Sequence, residues 1–247
     1  MNSKISVVIP IYNEEGNIIN LIDELLPIID KIGGEIIIVD DNSDDLSSNL
    51  IQKKINIEKT KIILIHHSMQ YGQSAGLLTG VKKANNNLIV TLDGDGQNDP
   101  KDIISMLKVW DEHKVNKELL VIGHRKKRQD TWSRRYASLL ALTFRKLILK
   151  DPTPDSGCGI KVFSRNLFLS LPYFDHIHRF LPALTRRHGG DVISHIVSHR
   201  NRSSGVSKYS NWQRFRVGLV DLYGVSWLIR RSSFPIKLKD KISKGAD

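Results

Sequence analysis

Asp93-Gly94-Asp95 sets two carboxylates one residue apart, directly behind the apolar run Leu88–Leu92. Oxygen ligands at this spacing suit a hard divalent cation, Mg²⁺ or Mn²⁺, which commonly shares its shell with substrate phosphates. Gln97 adds a carbonyl oxygen two residues further on. A second cluster, Asp40-Asp41-Asn42-Ser43, closes another apolar run, and a carboxylate there can accept hydrogen bonds from a ribose or a pyrimidine N–H. A third, Asn13-Glu14-Glu15, follows Ile5–Ile11. Each cluster alone reads as a hydrated turn; three at the ends of strand-like runs favour a site. No Gly-x-Gly-x-x-Gly or Gly-x-x-x-x-Gly-Lys-Ser/Thr run is present, which disfavours a dinucleotide oxidoreductase and a P-loop NTPase. A diphosphate held through a cation fits better than one held by a glycine nest.

Charge is split along the chain. Of 247 residues, the first 120 hold 12 lysines, no arginine and 18 acidic residues, a net of −6. The remainder holds 25 basic and 8 acidic residues, a net of +17, and every arginine lies between Arg125 and Arg231. The overall +11 and the pI near 9.7 therefore hide an acidic half joined to a half suited to phosphates or an anionic membrane. With 40% hydrophobic residues the composition is that of a globular protein, not a disordered one. Cys158 is the single cysteine, so an intramolecular disulfide and a cysteine-rich zinc module are both excluded. No secretory signal is apparent, and no window approaches the roughly 18 apolar residues of a membrane span; Val217–Ile229 contains Asp221.

The elements that must position these residues alternate. Strands are expected at Ile5–Ile11, Ile36–Val39, Ile62–Ile65, Leu88–Leu92 and Leu119–Ile122. Helices are expected over 15–31, with Pro27 kinking it or ending it early, over Gly72–Ala84 and over Asp102–Trp110. Short apolar runs separated by helices predict a mainly parallel sheet covered on both faces, with ligands beyond the carboxyl ends of the strands. The second half is less regular. It offers a basic amphipathic helix over Trp132–Leu149, a Pro/Gly/Ser loop over Asp151–Gly159, a strand over Val192–His199, a basic loop over Arg200–Ser210 and an aromatic helix over Asn211–Arg231. His195 and His199 fall on a strand-like pattern, and His176 and His178 lack a third ligand, so neither pair points to zinc. Cys158, between two glycines, reads as a small packed residue.

The runs Ser6–Glu14, Ile37–Ser43, Gly72–Gly80 and Leu92–Gln97 resemble, in order, spacing and strand context, the family 2 glycosyltransferases of GT-A fold, an α/β, Rossmann-like architecture. Gly123-His124-Arg125, Trp132–Ser138, Asp155-Ser156-Gly157 and Gly205–Tyr209 resemble the polyprenyl-phosphate branch, which includes dolichol-phosphate mannose synthase. Pro172–Pro182 is most similar to bacterial polyprenyl-phosphate transferases for galacturonate or amino sugars. The resemblance implies that Pro10, Tyr12, Glu14, Asp41 and Asp93 line a nucleotide pocket, and that Asp95 and Gln97, with Asp93, hold Mg²⁺ or Mn²⁺. It implies that Arg125, Arg134, Ser138, Arg202 and Lys208 grip an acceptor phosphate. Asp93, Asp95 and Arg125 are the expected catalytic residues.

The resemblance implies an inverting transfer from a UDP-linked sugar to undecaprenyl or a related polyprenyl phosphate, for lipid A or envelope glycan modification. Residues 1–210 would form the catalytic domain, with a nucleotide and metal half over 1–123 and an acceptor half over 124–210. Residues 211–247 would form an amphipathic interfacial helix and basic tail on the cytoplasmic face of the inner membrane, peripheral or monotopic. Trp212, Phe215, Leu219, Leu222, Tyr223 and Trp227 supply its apolar groups. A homo-oligomer stays open; nucleic acid is not an expected partner. Two alternatives remain. A GT-A transferase acting on a hydroxyl of a polysaccharide or lipid would more often carry a late Gln-x-x-Arg-Trp run, which is absent. A nucleic-acid-binding protein would leave the paired carboxylates unexplained.

Overall fold

The computed structural model describes residues 4–58, 61–114, 118–125, 146–200 and 211–231; side chains in the last segment are described from 218 onward. Seven strands form one sheet: β1 (Ile5–Ile11), β2 (Gly34–Asp40), β3 (Ile62–His66), β4 (Leu88–Thr91), β5 (Leu119–Arg125), β6 (Lys161–Ser164) and β7 (Asp191–Val197). Their spatial order is β3-β2-β1-β4-β6-β5-β7, and all are parallel except β6, which runs antiparallel to both β4 and β5. Residues 5–11 of β1 and 36–40 of β2 are buried throughout, the signature of strands covered on both faces.

Helices α1 (Ile18–Ile32), α2 (Ser47–Glu58) and α4 (Asp102–His113) cover one face. Helix α3 (Gln73–Lys83), α5 (Arg165–Ser170), α6 (Leu181–Arg187) and α7 (Asn211–Arg230) cover the other. In α1 the apolar positions Ile18, Leu21, Ile22, Leu25, Ile28 and Ile29 follow helical spacing and are buried. Pro27 does not end this helix, which runs on to Ile32. The reason is its position: Pro27 and Asp23, the residue whose carbonyl loses its hydrogen bond, both face solvent, where water replaces the missing donor. Helix α3 sits unusually close to the sheet. A Cβ on Gly80 would lie 2.4 Å from Val8, and one on Gly76 2.8 Å from the Pro10 ring. These two glycines, one turn apart, let the start of α3 reach the carboxyl ends of β1 and β4.

The expectation of a mainly parallel, doubly covered sheet holds. Strand β6 was not anticipated, and α2, α5 and α6 add helices that the periodicity did not delimit. Residues 126–145 and 201–210 lie outside the described residues, and with them most of the basic helix expected at Trp132–Leu149, the basic loop, and Arg134, Ser138, Arg202 and Lys208. Helix α7 is present as expected. It packs on the core through Val225 and the half-buried Leu222, Leu228 and Ile229. Leu222, expected to face outward, thus faces inward. Leu219, Val220, Tyr223 and Trp227 are exposed on the other side. The helix is apolar on two faces, not a simple polar–apolar amphipath. Among the described residues no helix is long and apolar enough to cross a membrane.

Candidate active site

A cleft of about 610 Å³ opens at the carboxyl ends of β1, β2 and β4. Pro10 and Tyr12, Asp41, Gly72, Asp93 and Asp95 line it, so four strand-end or helix-start segments converge as the sequence predicts. The loops after β1 and β2 are laced together. Asn13 and Asn42 occupy left-handed backbone (φ 55° and 65°), a conformation that asparagine tolerates better than most residues. The Asn13 N–H donates to Ser43 Oγ at 2.9 Å, and the Glu14 N–H to Ser47 Oγ at 2.8 Å. Glu14, expected in the nucleotide pocket, turns to α1 instead: its carboxylate accepts from Asn17 Nδ2 at 2.8 Å, and its carbonyl caps the helix.

The two aspartates ending β2 do different work. Asp40 holds its own turn, accepting from Ser43 N–H at 3.0 Å and from the Ser48 hydroxyl. Asp41 is buried and reaches forward to the loop that precedes α3. It accepts from the N–H groups of Tyr71 at 2.9 Å and Gly72 at 2.7 Å, and lies 2.7 Å from His67 Nδ1. His67 Nε2 is in turn 2.9 Å from Thr79 Oγ1, so the cleft wall is pinned to α3.

Asp93 stands at the cleft floor. Its Oδ1 accepts from Gln73 Nε2 at 2.7 Å, and its carboxyl group lies against the bare backbone of Gly159, where a Cβ would sit 2.2 Å from Oδ2. Thr91 Oγ1 fixes that backbone by donating to the Gly159 carbonyl at 2.7 Å. Burial first, and then the charge of Asp95, push the Asp93 pKa up to about 6. Two carboxylates that repel each other in a desolvated corner are a donor set a divalent cation would relieve. Asp95 uses one oxygen on the Gln97 N–H at 3.1 Å, and the Gln97 carbonyl accepts from Arg200 N–H at 2.9 Å. Arg200 also bridges Glu24 and Asp99 at 2.8 Å each, which ties the segment after Asp95 to α1. Among the described residues no three His, Cys, Asp or Glu side chains cluster as a self-sufficient metal cage. Asp93, Asp95 and Gln97 would need ligands from a substrate as well.

Arg125, at the end of β5, is committed to Asp155. Nε donates at 2.6 Å and Nη2 at 2.8 Å, and Asp155 also accepts from the Arg125 backbone N–H at 3.3 Å. This two-point pair is largely buried, 12% and 7% exposed at the side chains. Behind Asp93 lies a second, more enclosed pocket of about 120 Å³, which shares Asp93 and Gln73 with the cleft. Lys161, His178 and Arg179 line it. Lys161 is buried, and its Nζ donates to the Cys158 carbonyl. Burial pushes the lysine pKa down and, with Lys161 nearby, holds His178 well below the usual histidine range. His178 Nδ1 is 2.8 Å from Ser74 Oγ.

The family model for glycosyl transferase family 2 matches residues 6–171, which takes in every cleft residue above. The chain belongs to glycosyl transferase family 2. This glycosyltransferase is 31% identical over 240 residues to a dodecaprenyl-phosphate galacturonate synthase of Rhizobium johnstonii, covering 94% of this chain and 69% of that protein. It is 31% identical over 211 residues to an undecaprenyl-phosphate 4-deoxy-4-formamido-L-arabinose transferase of Proteus mirabilis, covering 84% and 63%. The chain thus spans about two thirds of the length of these curated relatives. In fold it resembles glucosyl-3-phosphoglycerate synthase from Mycobacterium tuberculosis, crystallised with Mg²⁺ and uridine diphosphate (TM-score 0.63, 19% identity, 95% of this chain and 81% of that one). The glycosyltransferase brings Pro10, Tyr12, Asp41, Asp93 and Asp95 to one cleft. Gln73 lines the same cleft, Lys161, His178 and Arg179 line the pocket behind it, and Asp155 holds Arg125; none of these five was expected as a site residue. Gln73, Asp155, His178 and Arg179 lie in runs that carry the family resemblance, and the Gly157-Cys158-Gly159 run adds a backbone that can pass close to another chain segment; Lys161 had no signal of its own.

Proposed function

We propose that this glycosyltransferase moves a sugar from a UDP-linked donor to undecaprenyl or another polyprenyl phosphate, with inversion at the anomeric carbon. The observation that carries the reading is the pair Asp93 and Asp95 on the floor of a 610 Å³ cleft, in a chain whose two cited relatives are both named for polyprenyl-phosphate products. Pro10, Tyr12 and Asp41 would form the nucleotide side. Asp93, Asp95 and the Gln97 side-chain carbonyl would hold Mg²⁺ or Mn²⁺. When bound, such a cation neutralises the developing charge of the leaving diphosphate.

A phosphate monoester has a second pKa near 6 and is already nucleophilic at neutral pH, so the site needs no strong base. It needs positioning and relief of anion–anion repulsion. An acceptor phosphate oxygen attacks C1 as the bond from C1 to the diphosphate oxygen breaks, and no proton has to move. Arg125, oriented by Asp155, would face that acceptor, with Arg134, Ser138, Arg202 and Lys208 completing the grip. The acceptor's lipid tail requires a membrane face. The exposed Leu219, Val220, Tyr223 and Trp227 stripe of α7, followed by a lysine-rich tail, supports residues 211–247 as that face and 1–210 as the catalytic unit, on the cytoplasmic side of the inner membrane. Envelope glycan or lipid A modification follows as the role.

Incubation with a panel of UDP-sugars, Mg²⁺ or Mn²⁺ and undecaprenyl phosphate tests this reading. A lipid-linked sugar of inverted configuration is expected. No lipid product with any donor would refute the acceptor assignment, and a product of retained configuration would refute the single displacement.

A further inference from the structure

Arg200 opens the basic stretch from which Arg202 and Lys208 are expected to reach an acceptor phosphate, yet its guanidinium is committed elsewhere. Nη1 donates to both carboxylate oxygens of Glu24 on α1, at 2.9 and 2.8 Å, and Nη2 meets Asp99 Oδ2 at 2.8 Å. One cation between two carboxylates leaves a net negative group, which does not attract a phosphate. The backbone of the same residue reaches the loop after β4. Its N–H donates to the Gln97 carbonyl at 2.9 Å, and the Gln97 N–H donates to Asp95 Oδ1 at 3.1 Å. Three links therefore run from α1 to a carboxylate of the cleft: Glu24 to Arg200, Arg200 to Gln97, and Gln97 to Asp95. Antiparallel pairing of Asn98 with His199, and a 2.7 Å bond from the Ser198 N–H to Asp102 Oδ2, fasten the flanks.

The loop needs such a fastening. Gly96, between Asp95 and Gln97, has φ 71°, in the left-handed region that glycine enters freely, so the chain has little stiffness of its own at this point. Asp95 uses one oxygen on the Gln97 N–H, so the placement of the Gln97 peptide governs how that carboxylate is presented. A half-exposed ion pair adds little to stability, and what Arg200 supplies is geometry. We propose that Arg200 is a positioning residue for the cation site: it fixes Asp95–Asp99 against α1, so that Asp95 and Gln97 are set for Mg²⁺ or Mn²⁺ before the ion arrives. The proposal rests on the cation reading above. Without the guanidinium, the ordering of the loop is deferred from folding to ion binding, and the ion binds more weakly. Residues that orient a metal ligand in this way are worth about 10–100-fold in metal affinity.

Mn²⁺ binding by the full chain with saturating UDP, followed by the electron paramagnetic resonance signal of free Mn²⁺, tests it. Arg200→Gln is expected to raise the Mn²⁺ Kd about tenfold, the lower end of that range, while the UDP Kd measured without metal stays within about twofold. Glu24→Gln, on α1 and outside the cleft, raises the Mn²⁺ Kd in the same direction by a smaller factor, and serves should the arginine variant not fold. The two changes together do no more than Arg200→Gln alone, because Glu24 acts through Arg200. A Mn²⁺ Kd unmoved by both single changes overturns the proposal, and a urea midpoint that falls in the same variants then assigns Arg200 a purely structural role. A raised KM for polyprenyl phosphate with an unchanged Mn²⁺ Kd overturns it as well, because Arg200 then belongs to the acceptor grip. Mn²⁺ binding untouched by the substitutions defeats this proposal alone; no Mn²⁺ binding by the unmodified protein defeats the cation reading together with it.

Discussion

Gly159→Ala is a sharp test of how Asp93 is held. A methyl group at 159 would lie 2.2 Å from Asp93 Oδ2 and 2.3 Å from its Cγ, so the carboxylate must retreat by about 1.2 Å to reach ordinary contact at 3.4 Å. The loop cannot yield in its place, because the Gly159 carbonyl is bonded to Thr91 Oγ1 in the sheet. Retreat breaks the 2.7 Å bond from Gln73 and takes the carboxylate off the cleft floor. Displacements near 1 Å at a reacting centre cost on the order of 100-fold in rate. Overpacking of this kind costs about 1–3 kcal/mol of stability. Gly157→Ala is the matched control: two residues away, its new methyl would meet nothing nearer than Arg125 Nη2 at 4.0 Å. The assay is UDP release from a donor sugar in the presence of polyprenyl phosphate, beside urea unfolding of both variants. Gly159→Ala is expected to lose about two orders of magnitude in kcat/KM while remaining folded, and Gly157→Ala to keep activity within a few-fold. Equal activity in the two variants would refute the reasoning.

Three further outcomes are expected. The Asp93 pKa is raised in the folded protein, so its contribution to stability is full below about pH 4 and is lost as pH climbs through about 6. Metal-free Asp93→Asn should therefore melt higher than the unmodified protein at pH 7 and equal to it below pH 4; a constant difference across that range would contradict the cause assigned. Arg125→Ala removes the two-point guanidinium contact to the buried Asp155 carboxylate and should lower stability by about 3–5 kcal/mol in chemical unfolding, with Arg125→Lys intermediate because it keeps the charge and loses the two-point contact. Tyr223→Glu with Trp227→Glu should weaken flotation with anionic vesicles at least tenfold, since each exposed ring contributes about 1.5–3 kcal/mol on insertion, and flotation that survives both changes would remove α7 from the membrane face.

The parallel half of the fold was legible because its strands are long apolar runs and its helices are punctuated by Gly33, Gly72 and Pro100. The same rule exposes Asp41, Asp93 and Asp95, since ligand-binding residues of such sheets follow their strands. Strand β6 escaped because four residues, Lys161–Ser164, are too few to show a period, and because a lysine opens a strand whose residues are all buried. Its position between β4 and β5 is a fact of tertiary pairing alone. Lys161 and His178 were illegible for a related reason. A charged or titratable residue in a mixed loop looks solvated until distant segments close over it, and His178 is covered by Ser74, 104 residues earlier. Pro27 misled in the opposite direction: its helix-breaking chemistry is real, but its effect depends on which face of α1 it occupies.

The antiparallel insertion of β6 has a consequence for how the molecule is made. Strand β4 touches β1 on one side and β6 on the other, and β5 touches β6 and β7. The first four strands of the sheet to be synthesised, β1 to β4, can pair as soon as they emerge, but β5 has no neighbour among them. It must wait for a segment some 40 residues later to come back and run the opposite way between the two. Closing such a loop precedes the contacts that reward it, so this step is the slow one. The loop that delivers β6 carries Gly159, and β6 itself opens with Lys161. Joining β5 to the first four strands and bringing Gly159 and Lys161 against Asp93 are thus one event, and a nascent chain halted before β6 would have the acidic floor of the cleft without the backbone that lies against it.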